Sequence, residues 1–312
     1  MEKGTLQMKM INMSNGALQG SEISLGCMRI AKLDHSDASN LISTALEQGI
    51  NFFDHADIYA DGKSEEVFAK ALDADSSVRE KVIIQTKCGI RKGYFDFSKK
   101  HILDSVDGSL QRLNTDYIDV LLLHRPDALV EPEEVAEAFN LLYNSGKVRH
   151  FGVSNQNPMQ IELLSRYVEQ KLTINQLQLS ITNSGMIDAG INVNMKVDSS
   201  IDRDGSILDY CRLKDITIQA WSPFQYGFFE GIFLDNDKFP ELNTVINRLS
   251  KEKDVPNTAI ATAWILRHPA KMQPIVGTTN AARLKDICHA SKIELTREEW
   301  YEIYRAAGNE LP

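Results

Sequence analysis

The sequence has no two glycines spaced two residues apart among its 18, which excludes the GxGxxG loop of a Rossmann dinucleotide-binding domain. It also lacks the GxxxxGK loop of P-loop nucleotide hydrolases, the GxSxG turn of α/β-hydrolases and the HExxH motif of zinc peptidases. Each of these enzyme classes therefore loses its main sequence support. Any catalytic residues must come from less compact patterns.

Cysteine is scarce as well. The four cysteines, Cys27, Cys88, Cys211 and Cys288, include no CxxC pair. This spacing disfavours a metal cluster and a secreted fold held by disulfides. We interpret them as reduced, buried thiols that pack like small apolar side chains. No metal ion is expected in the protein.

Basic residues are outnumbered, since 34 lysines and arginines stand against 43 aspartates and glutamates and give a formal net charge of −9. This balance argues against a general nucleic-acid or anionic-membrane binder. The first residues lack the apolar core of a signal peptide, and no later run approaches the roughly 20 residues of a membrane helix. We expect a cytoplasmic protein without a membrane partner, and nothing in the sequence demands assembly beyond a monomer.

The sequence does contain a regular alternation of β-rich runs and helical segments. The runs VIIQT, IDVLLL and ITIQAW are apolar on both faces, as expected of parallel strands covered by helices. Eight such runs in about 250 residues predict an α/β fold, a closed (β/α)8 TIM barrel, as one domain over residues 1–312. The predicted strands are 23–26, 51–53, 82–86, 118–122, 150–153, 174–179, 216–220 and 274–276.

Helices are predicted between these strands. Ser36 and Asn280 are plausible N-caps, and Gly49 and Gly146 are placed just beyond helix C-termini. The predicted helices are 36–48, 64–72, 98–113, 132–145, 158–170, 206–213, 242–253, 258–267 and 281–290.

Three segments that connect the predicted strands and helices have recognisable features. An Asn15-Gly16 turn predicts an N-terminal hairpin that closes the bottom of the barrel. Two long loops, 180–203 and 223–240, follow the sixth and seventh strands. Long βα-loops on a barrel shape the substrate site.

Polar side chains gather where the predicted strands end, which is where barrel enzymes carry their chemistry. Strand two runs into FDHADIY, strand three into TK, strand four into LHRPD, strand five into VSN and strand seven into WSP. A purely structural barrel has no need for Asp54, Lys87, His124 and Asn155 at one rim. An active site is therefore predicted there.

Four side chains at this rim, Asp54, Tyr59, Lys87 and His124, suffice to polarise and protonate a carbonyl group. A phenol with a pKa of about 10 is a weak acid, and a nearby ammonium held by a carboxylate favours its ionised form. An imidazole can fix the carbonyl oxygen by a hydrogen bond. None of the four supplies a hydride, so the chemistry requires a bound nicotinamide.

Six motifs in order along nearly the whole chain make the sequence similar to the aldo-keto reductase superfamily, and within it to bacterial oxidoreductases. They are DHADIY, IIQTKCG, LLLHRPD, KVRHFGVSN, AWSP and PIVGTTNAARLKDI. The resemblance implies a catalytic tetrad of Asp54, Tyr59, Lys87 and His124, with Tyr59 as proton donor. It implies that NADPH, more than NADH, delivers hydride to a small-molecule aldehyde or ketone.

The resemblance also implies which residues contact the cofactor. Ser154, Asn155 and Gln176 would hold the nicotinamide carboxamide, Trp221 would stack on its ring, and Ser222 would approach the pyrophosphate. The residues implied around the 2′-phosphate, the adenine and the end of the first strand are Gly277, Thr278, Thr279, Arg283, Asp286, Met28 and Arg29.

Four positions depart from the family pattern. His55 stands where many members have Thr, and Ala60 where Gly is usual. Gly277 occupies a position that is often Lys in members that prefer NADP, and Ile287 replaces a frequent Asn. Arg283 can still pair bidentately with a phosphate, so NADPH remains the expected cofactor.

Two other functions stay open from the sequence. One is a nicotinamide-binding regulatory subunit that has lost catalysis, and the other is a hydrolase or aldolase that uses Lys87 as a Schiff-base amine. Lys87 and Asp54 also fit a structural ion pair. The remaining polar residues of interest are interpreted as structural, namely His55, His150 and His268, or as rim or salt-bridge residues, namely Arg125 and Asp127.

Overall fold

A computed structural model of the chain describes residues 8–13, 16–72 and 76–312. Most of its strands lie in one sheet that closes on itself, and the others form two-stranded antiparallel pairs. In chain order the strands are β1 (Met10–Met13), β2 (Leu18–Ser21), β3 (Ser24–Gly26), β4 (Phe52–Asp54), β5 (Ile83–Cys88), β6 (Ile90–Arg91), β7 (Tyr94–Phe95), β8 (Ile118–Leu123), β9 (Val148–Ser154), β10 (Leu172–Gln178), β11 (Thr217–Trp221), β12 (Gln225–Tyr226), β13 (Gly231–Ile232) and β14 (Gln273–Val276).

The closed sheet is a barrel of eight parallel strands, β3, β4, β5, β8, β9, β10, β11 and β14, which follow one another around it in chain order. Each of them overlaps one predicted strand, so the predicted (β/α)8 barrel is confirmed. Strands such as β5 and β8 are buried along their whole length. This follows because side chains fill the barrel and helices cover its outside.

Helices surround the barrel. Those described are α1 (His35–Glu47), α2 (Lys63–Leu72), α3 (Ser76–Arg79), α4 (Lys99–Leu113), α5 (Pro132–Asn144), α6 (Pro158–Ser165), α7 (Gly185–Ile191), α8 (Ile207–Leu213), α9 (Pro240–Lys253), α10 (Asn257–Leu266), α11 (Ala281–Cys288) and α12 (Arg297–Ala306). The sequence patterns missed α3, α7 and α12. The predicted helix 158–170 also extends five residues beyond the end of α6.

The helix ends agree with three of the four predicted positions. Asn280 caps α11, and Gly49 and Gly146 take φ values of 82° and 74° just beyond α1 and α5, a conformation that glycine adopts without strain. Ser36 does not cap α1, contrary to the prediction. The cap is Asp34, whose side chain accepts a hydrogen bond from a backbone N–H of the first turn, so the helix begins one residue earlier.

An N-terminal hairpin closes the bottom of the barrel, as predicted. Strands β1 and β2 pair in antiparallel fashion, and Met13 and Leu18 pack against Phe52, Ile83 and Val120 inside the barrel. Of the predicted turn, Asn15 lies outside the described residues.

The two long loops carry structure of their own. The loop 180–203 contains α7 and a short 3-10 helix. The loop 223–240 contains the hairpin of β12 and β13, whose tip exposes Phe228 and Phe229. All four cysteines are buried and unpaired, as expected.

Candidate active site

The polar residues at the strand ends are fixed to the barrel by its backbone ladder. Beyond β4, two backbone N–H groups donate to carbonyls of β5: that of His55 to Gln85 at 2.8 Å, and that of Asp57 to Lys87 at 3.0 Å. Beyond β8, the N–H of His124 donates to a carbonyl of β5 in the same way. The rim residues therefore sit on an extension of the sheet, which is a more rigid support than a free loop.

Lys87 lies at the centre of the site. Its side chain is fully buried, and Nζ donates to the carboxylate of Asp54 at 2.8 Å, to the carbonyl of His55 at 2.8 Å and to the hydroxyl of Tyr59 at 3.2 Å. An ammonium has three N–H donors, and each has an acceptor here. The amine is therefore fully paired by groups that include two members of the predicted tetrad.

Tyr59 reaches Lys87 from a tight turn after β4. Three successive residues in this turn, Ala60, Asp61 and Gly62, have φ values of 51°, 53° and 86°. The left-handed backbone at Ala60 explains why glycine is usual at that position. The rings of Tyr59 and His124 meet edge to face, with centroids 6.0 Å apart. The structure thus brings the four predicted side chains together.

A belt of buried glutamines continues this network across the barrel. Gln85 and Gln176 donate to Asp54 and also to Gln219, which in turn donates to Gln273 at 2.8 Å. The two amide donors of the belt help to hold the Asp54 carboxylate beside the ammonium of Lys87. The belt was not predicted, although Gln85, Gln176 and Gln219 each interrupt an apolar strand and Gln273 begins one.

Burial and charge set the protonation states of the central pair. Burial disfavours the ammonium of Lys87, but the neighbouring Asp54 and Tyr59 outweigh it and raise the pKa of Lys87. Burial also raises the pKa of Tyr59, and Lys87 only partly opposes this shift. Lys87 does favour the phenolate, as expected, but desolvation of the phenolate is the larger effect and the net shift of the pKa is upward. At neutral pH the pair is ammonium and phenol.

His124 is neutral. Burial, followed by the charges of Lys87 and Arg125, holds the pKa of its imidazole well below the usual value. Nδ1 has no hydrogen-bond partner among the described residues. A neutral imidazole keeps one N–H, which can donate to a ligand oxygen.

The residues implied to hold the nicotinamide lie on the next part of the rim. Asn155 has a φ of 57°, and its amide donates to the hydroxyl of Ser154 at 2.7 Å and accepts from the indole of Trp221 at 3.1 Å. The Trp221 ring is nearly parallel to that of Phe229, with centroids 5.9 Å apart. This aromatic partner was not predicted.

The residues implied around the far end of the cofactor lie at β3 and β14. The guanidinium of Arg29 donates to the carbonyl of Gly277, which ties the two strand ends together. Thr279 lines a cleft of about 320 Å³ that also contains Asp37 of α1. The other implied residues are the half-buried Ser222, the buried Thr278 and the exposed Met28, Arg283 and Asp286.

Comparison with known proteins identifies the family of the chain. The chain matches the model of the aldo/keto reductase family over residues 22–307. It belongs to that family. It is 37% identical to the uncharacterized oxidoreductase YcsN of Bacillus subtilis, over 95% of this chain and 97% of that protein. It is 34% identical to a 6-dehydroglucose reductase of Agrobacterium fabrum, over 94% and 97%.

Solved structures support the fold. The thermostable aldo-keto reductase Tm1743 superposes with a TM-score of 0.76 at 23% identity, over 96% of this chain and 100% of that one. The family and the names of the relatives support an oxidoreductase that acts on carbonyl compounds. Within the described residues, no helix has the length and apolar character needed to cross a membrane.

Barrel order divides the rim of this aldo-keto reductase into two arcs. The tetrad comes from β4, β5 and β8, and the residues implied to bind the cofactor come from β9, β10, β11, β14 and β3, which complete the circle. Two positions on the second arc fit a dinucleotide. Oε1 of Gln176 accepts no hydrogen bond from a described residue and is available to an amide N–H, and Arg283 is exposed without a described ion-pair partner.

The structure shows the surroundings of two other residues that the sequence singled out, His55 and Asp127. His55 is fully buried against Phe68, and neither ring nitrogen has a partner among the described residues. Asp127 forms no salt bridge within the described chain, because its two oxygens accept hydrogen bonds from the backbone N–H groups of Phe97 and Leu129. Of its two interpretations, the salt-bridge residue is therefore wrong, and that of a rim residue after β8 remains.

We expect His55 to make the fold sensitive to acid. Burial, and then the charge of Lys87, lower the pKa of His55 to about 3 from 6.5. Between these pH values His55 is protonated in the unfolded chain and neutral in the folded chain. The free energy of unfolding therefore falls as pH falls, by about 1.4 kcal/mol per pH unit. From pH 7.5 to 5.0 the wild type should lose about 2 kcal/mol of unfolding free energy more than His55→Thr.

Urea unfolding of both proteins at three pH values in this range measures the difference. Comparison with the variant is needed because Asp57 acts in the opposite direction. Burial and Glu65 raise the pKa of Asp57 to about 6, so its contribution to stability falls as pH rises from about 4 to 6. Asp57 is present in both proteins and cancels. Equal pH slopes for the two proteins would contradict the prediction.

Proposed function

We propose that this aldo-keto reductase transfers a hydride from NADPH to an aldehyde or ketone, with Tyr59 as general acid and Lys87, Asp54 and His124 assisting. The observation that carries the proposal is the buried ammonium of Lys87, bonded at once to the Asp54 carboxylate and the Tyr59 hydroxyl. A charge of this kind, placed beside a phenol at a barrel rim, suits proton transfer. We further propose that residues 1–312 act as one reductase domain.

The chain's own residues supply the proton and the electrostatics. NADPH, when bound, supplies the hydride to the carbonyl carbon. Tyr59 gives its hydroxyl proton to the carbonyl oxygen, and Lys87 stabilises the phenolate left behind. Asp54 keeps Lys87 protonated and balances its charge in a site from which water is excluded. The neutral His124 donates its N–H to the same oxygen and fixes the carbonyl in place.

The cofactor would be held along the second arc of the rim. Gln176, with Ser154 and Asn155, offers amide and hydroxyl groups to the carboxamide. Arg283 at the first turn of α11 is the cation proposed to distinguish NADPH from NADH. Its exposed guanidinium and the absence of a described ion-pair partner support this role.

A fluorescence titration with NADPH and NADH, followed by a carbonyl panel with the tighter cofactor, tests the function. We expect tighter binding of NADPH and turnover of at least one generic aldehyde. Tight NADPH binding without any turnover would favour a regulatory subunit. Borohydride trapping of a carbonyl compound on Lys87 without nicotinamide would favour an aldolase, although the raised pKa of Lys87 disfavours the free amine that this reaction needs.

Replacement of Arg283 with alanine is expected to raise the Kd for NADPH about tenfold and to change the Kd for NADH less than about twofold. The reason is that a charge-assisted hydrogen bond to the 2′-phosphate is lost, and only NADPH carries that group. Lys285→Ala is the matched control, since it removes one exposed cation from the same helix. Equal weakening of both cofactors, or the same effect in the control, would argue against the assignment.

A further inference from the structure

One cation at the mouth of the site has no role in the proposed reaction. Arg125 directly follows His124, is half-buried, and places its guanidinium carbon 5.7 Å from the centre of the Trp221 ring. No hydrogen bond or ion pair joins its guanidinium to any of the described residues. The contact with the Trp221 ring uses the face of the guanidinium and leaves its five N–H donors without a protein acceptor, although half-burial removes part of their water.

Neither Asp127 nor Asp54 forms an ion pair with Arg125. Both oxygens of Asp127, two residues further on, accept backbone N–H groups at 2.9 Å. Asp54 is bonded to Lys87 and to two glutamines. The charge of Lys87 is thereby balanced, whereas that of Arg125 is not. Among the described residues close to Tyr59 and His124, Arg125 is therefore a cation that remains available to a ligand.

Arg125 lies close to Tyr59 and His124, the residues proposed to bind the carbonyl oxygen of the substrate. It is adjacent in sequence to His124, its charge acts on the pKa of His124, and Tyr59 acts on that of Arg125. The rings of Phe228 and Phe229 pack on Trp221, the ring that the guanidinium of Arg125 contacts. A ligand with its carbonyl at Tyr59 and His124 thus meets both an apolar wall and a planar guanidinium.

We propose that Arg125 is an anion subsite, and that the preferred substrates are carbonyl compounds that also carry a carboxylate or a phosphate. The planar fork of a guanidinium matches two oxygens of either group, and in a half-buried place the bond is screened less than at the surface. Arg125 then acts in substrate specificity, whereas the tetrad acts on the carbonyl. The inference rests on the proposed reductase function and names its substrate class.

The test compares charged and neutral carbonyl substrates of similar shape in the wild type, Arg125→Met and Arg125→Lys. One pair is 4-oxobutanoate and its methyl ester, and the other is glyceraldehyde 3-phosphate and glyceraldehyde. We expect the wild type to prefer at least one charged member by tenfold or more in kcat/KM, which also decides between carboxylate and phosphate. The preference should fall roughly 10- to 100-fold in Arg125→Met, as for loss of a charge-assisted hydrogen bond, and less in Arg125→Lys.

Arg166→Met is the matched control, because Arg166 is an exposed arginine at the C-terminal end of α6, and helix C-termini lie at the barrel face opposite the site. It should keep the wild-type preference. An equal loss for charged and neutral substrates in Arg125→Met would overturn the proposal and leave an ordinary packing role. NADPH binding weakened tenfold or more in that variant would also overturn it, since the arginine would then serve the cofactor.

A binding measurement separates failure of the subsite from failure of the reductase function. Succinate and the neutral succinamide are titrated against tryptophan fluorescence, since Trp221 lies beside Arg125. Binding of succinate but not succinamide, lost in Arg125→Met, would support the subsite even if no carbonyl compound were reduced. Failure of succinate to perturb the wild type, or an unchanged response in the variant, would overturn the subsite even in an active reductase.

Discussion

Tyr59→Phe is expected to lower kcat for carbonyl reduction at least about a hundredfold and to leave the Kd for NADPH within about threefold of the wild type. A general acid contributes roughly 10²- to 10⁴-fold, and no other described side chain that contacts Lys87 carries a proton of suitable acidity. The pKa of Tyr59 lies above its ordinary value because of burial, so the hydroxyl holds its proton at neutral pH until a carbonyl oxygen accepts it. Removal of the hydroxyl leaves the ring and its contact with His124 in place.

Tyr143→Phe is the matched control, because Tyr143 is exposed on α5, outside the barrel. It should show the kcat of the wild type. Stopped-flow measurement of NADPH oxidation in a single turnover gives the chemical step free of product release. An unchanged single-turnover rate in Tyr59→Phe would remove the phenol from the mechanism. A fall in rate that follows weaker NADPH binding would instead indicate a role in holding the cofactor.

The barrel and the convergence of the tetrad followed from local patterns. Eight apolar runs separated by helical segments leave few arrangements other than a closed parallel sheet. Once that sheet is assumed, side chains that follow strand ends must meet at one rim. The sequence therefore places Asp54, Lys87 and His124 together without any knowledge of their contacts, although nothing in their spacing gives the distances.

The missed features depend on contacts between distant segments. A glutamine within an apolar strand interrupts a hydrophobic pattern, and only the closed barrel shows that Gln85, Gln176 and Gln219 face one another. The free charge of Arg125 could not be predicted either. It depends on the direction of the Asp127 carboxylate, which turns back to two backbone N–H groups.

The direction of the pKa shift of Tyr59 also depends on the folded structure. An ammonium near a phenol can be inferred from the sequence, and Lys87 does act to lower the pKa of Tyr59. The outcome depends on how much water the phenolate would lose, and burial is a property of the folded chain. The result still suits the proposed role, because a proton donor must hold its proton before the reaction.

Lys87→Met is expected to have the largest combined effect on kcat and on the free energy of unfolding. Without the ammonium, the phenolate has no charge to stabilise it, and kcat should fall by roughly a hundred- to a thousandfold. The buried carboxylate of Asp54 is also left unpaired, and loss of one partner of a buried pair costs about 3–5 kcal/mol of unfolding free energy. Urea unfolding and single-turnover kinetics measure the two effects separately.

The double variant Asp54→Asn with Lys87→Met distinguishes a catalytic pair from a structural one. An asparagine oxygen can still accept the amide donors of Gln85 and Gln176, and no buried charge remains. Stability should therefore return to within about 1 kcal/mol of the wild type, because neutral replacements of buried ion pairs are often tolerated. Activity should stay as low as in Lys87→Met. Recovery of both stability and activity would mean that the two charges hold the barrel mouth together and take no part in the chemistry.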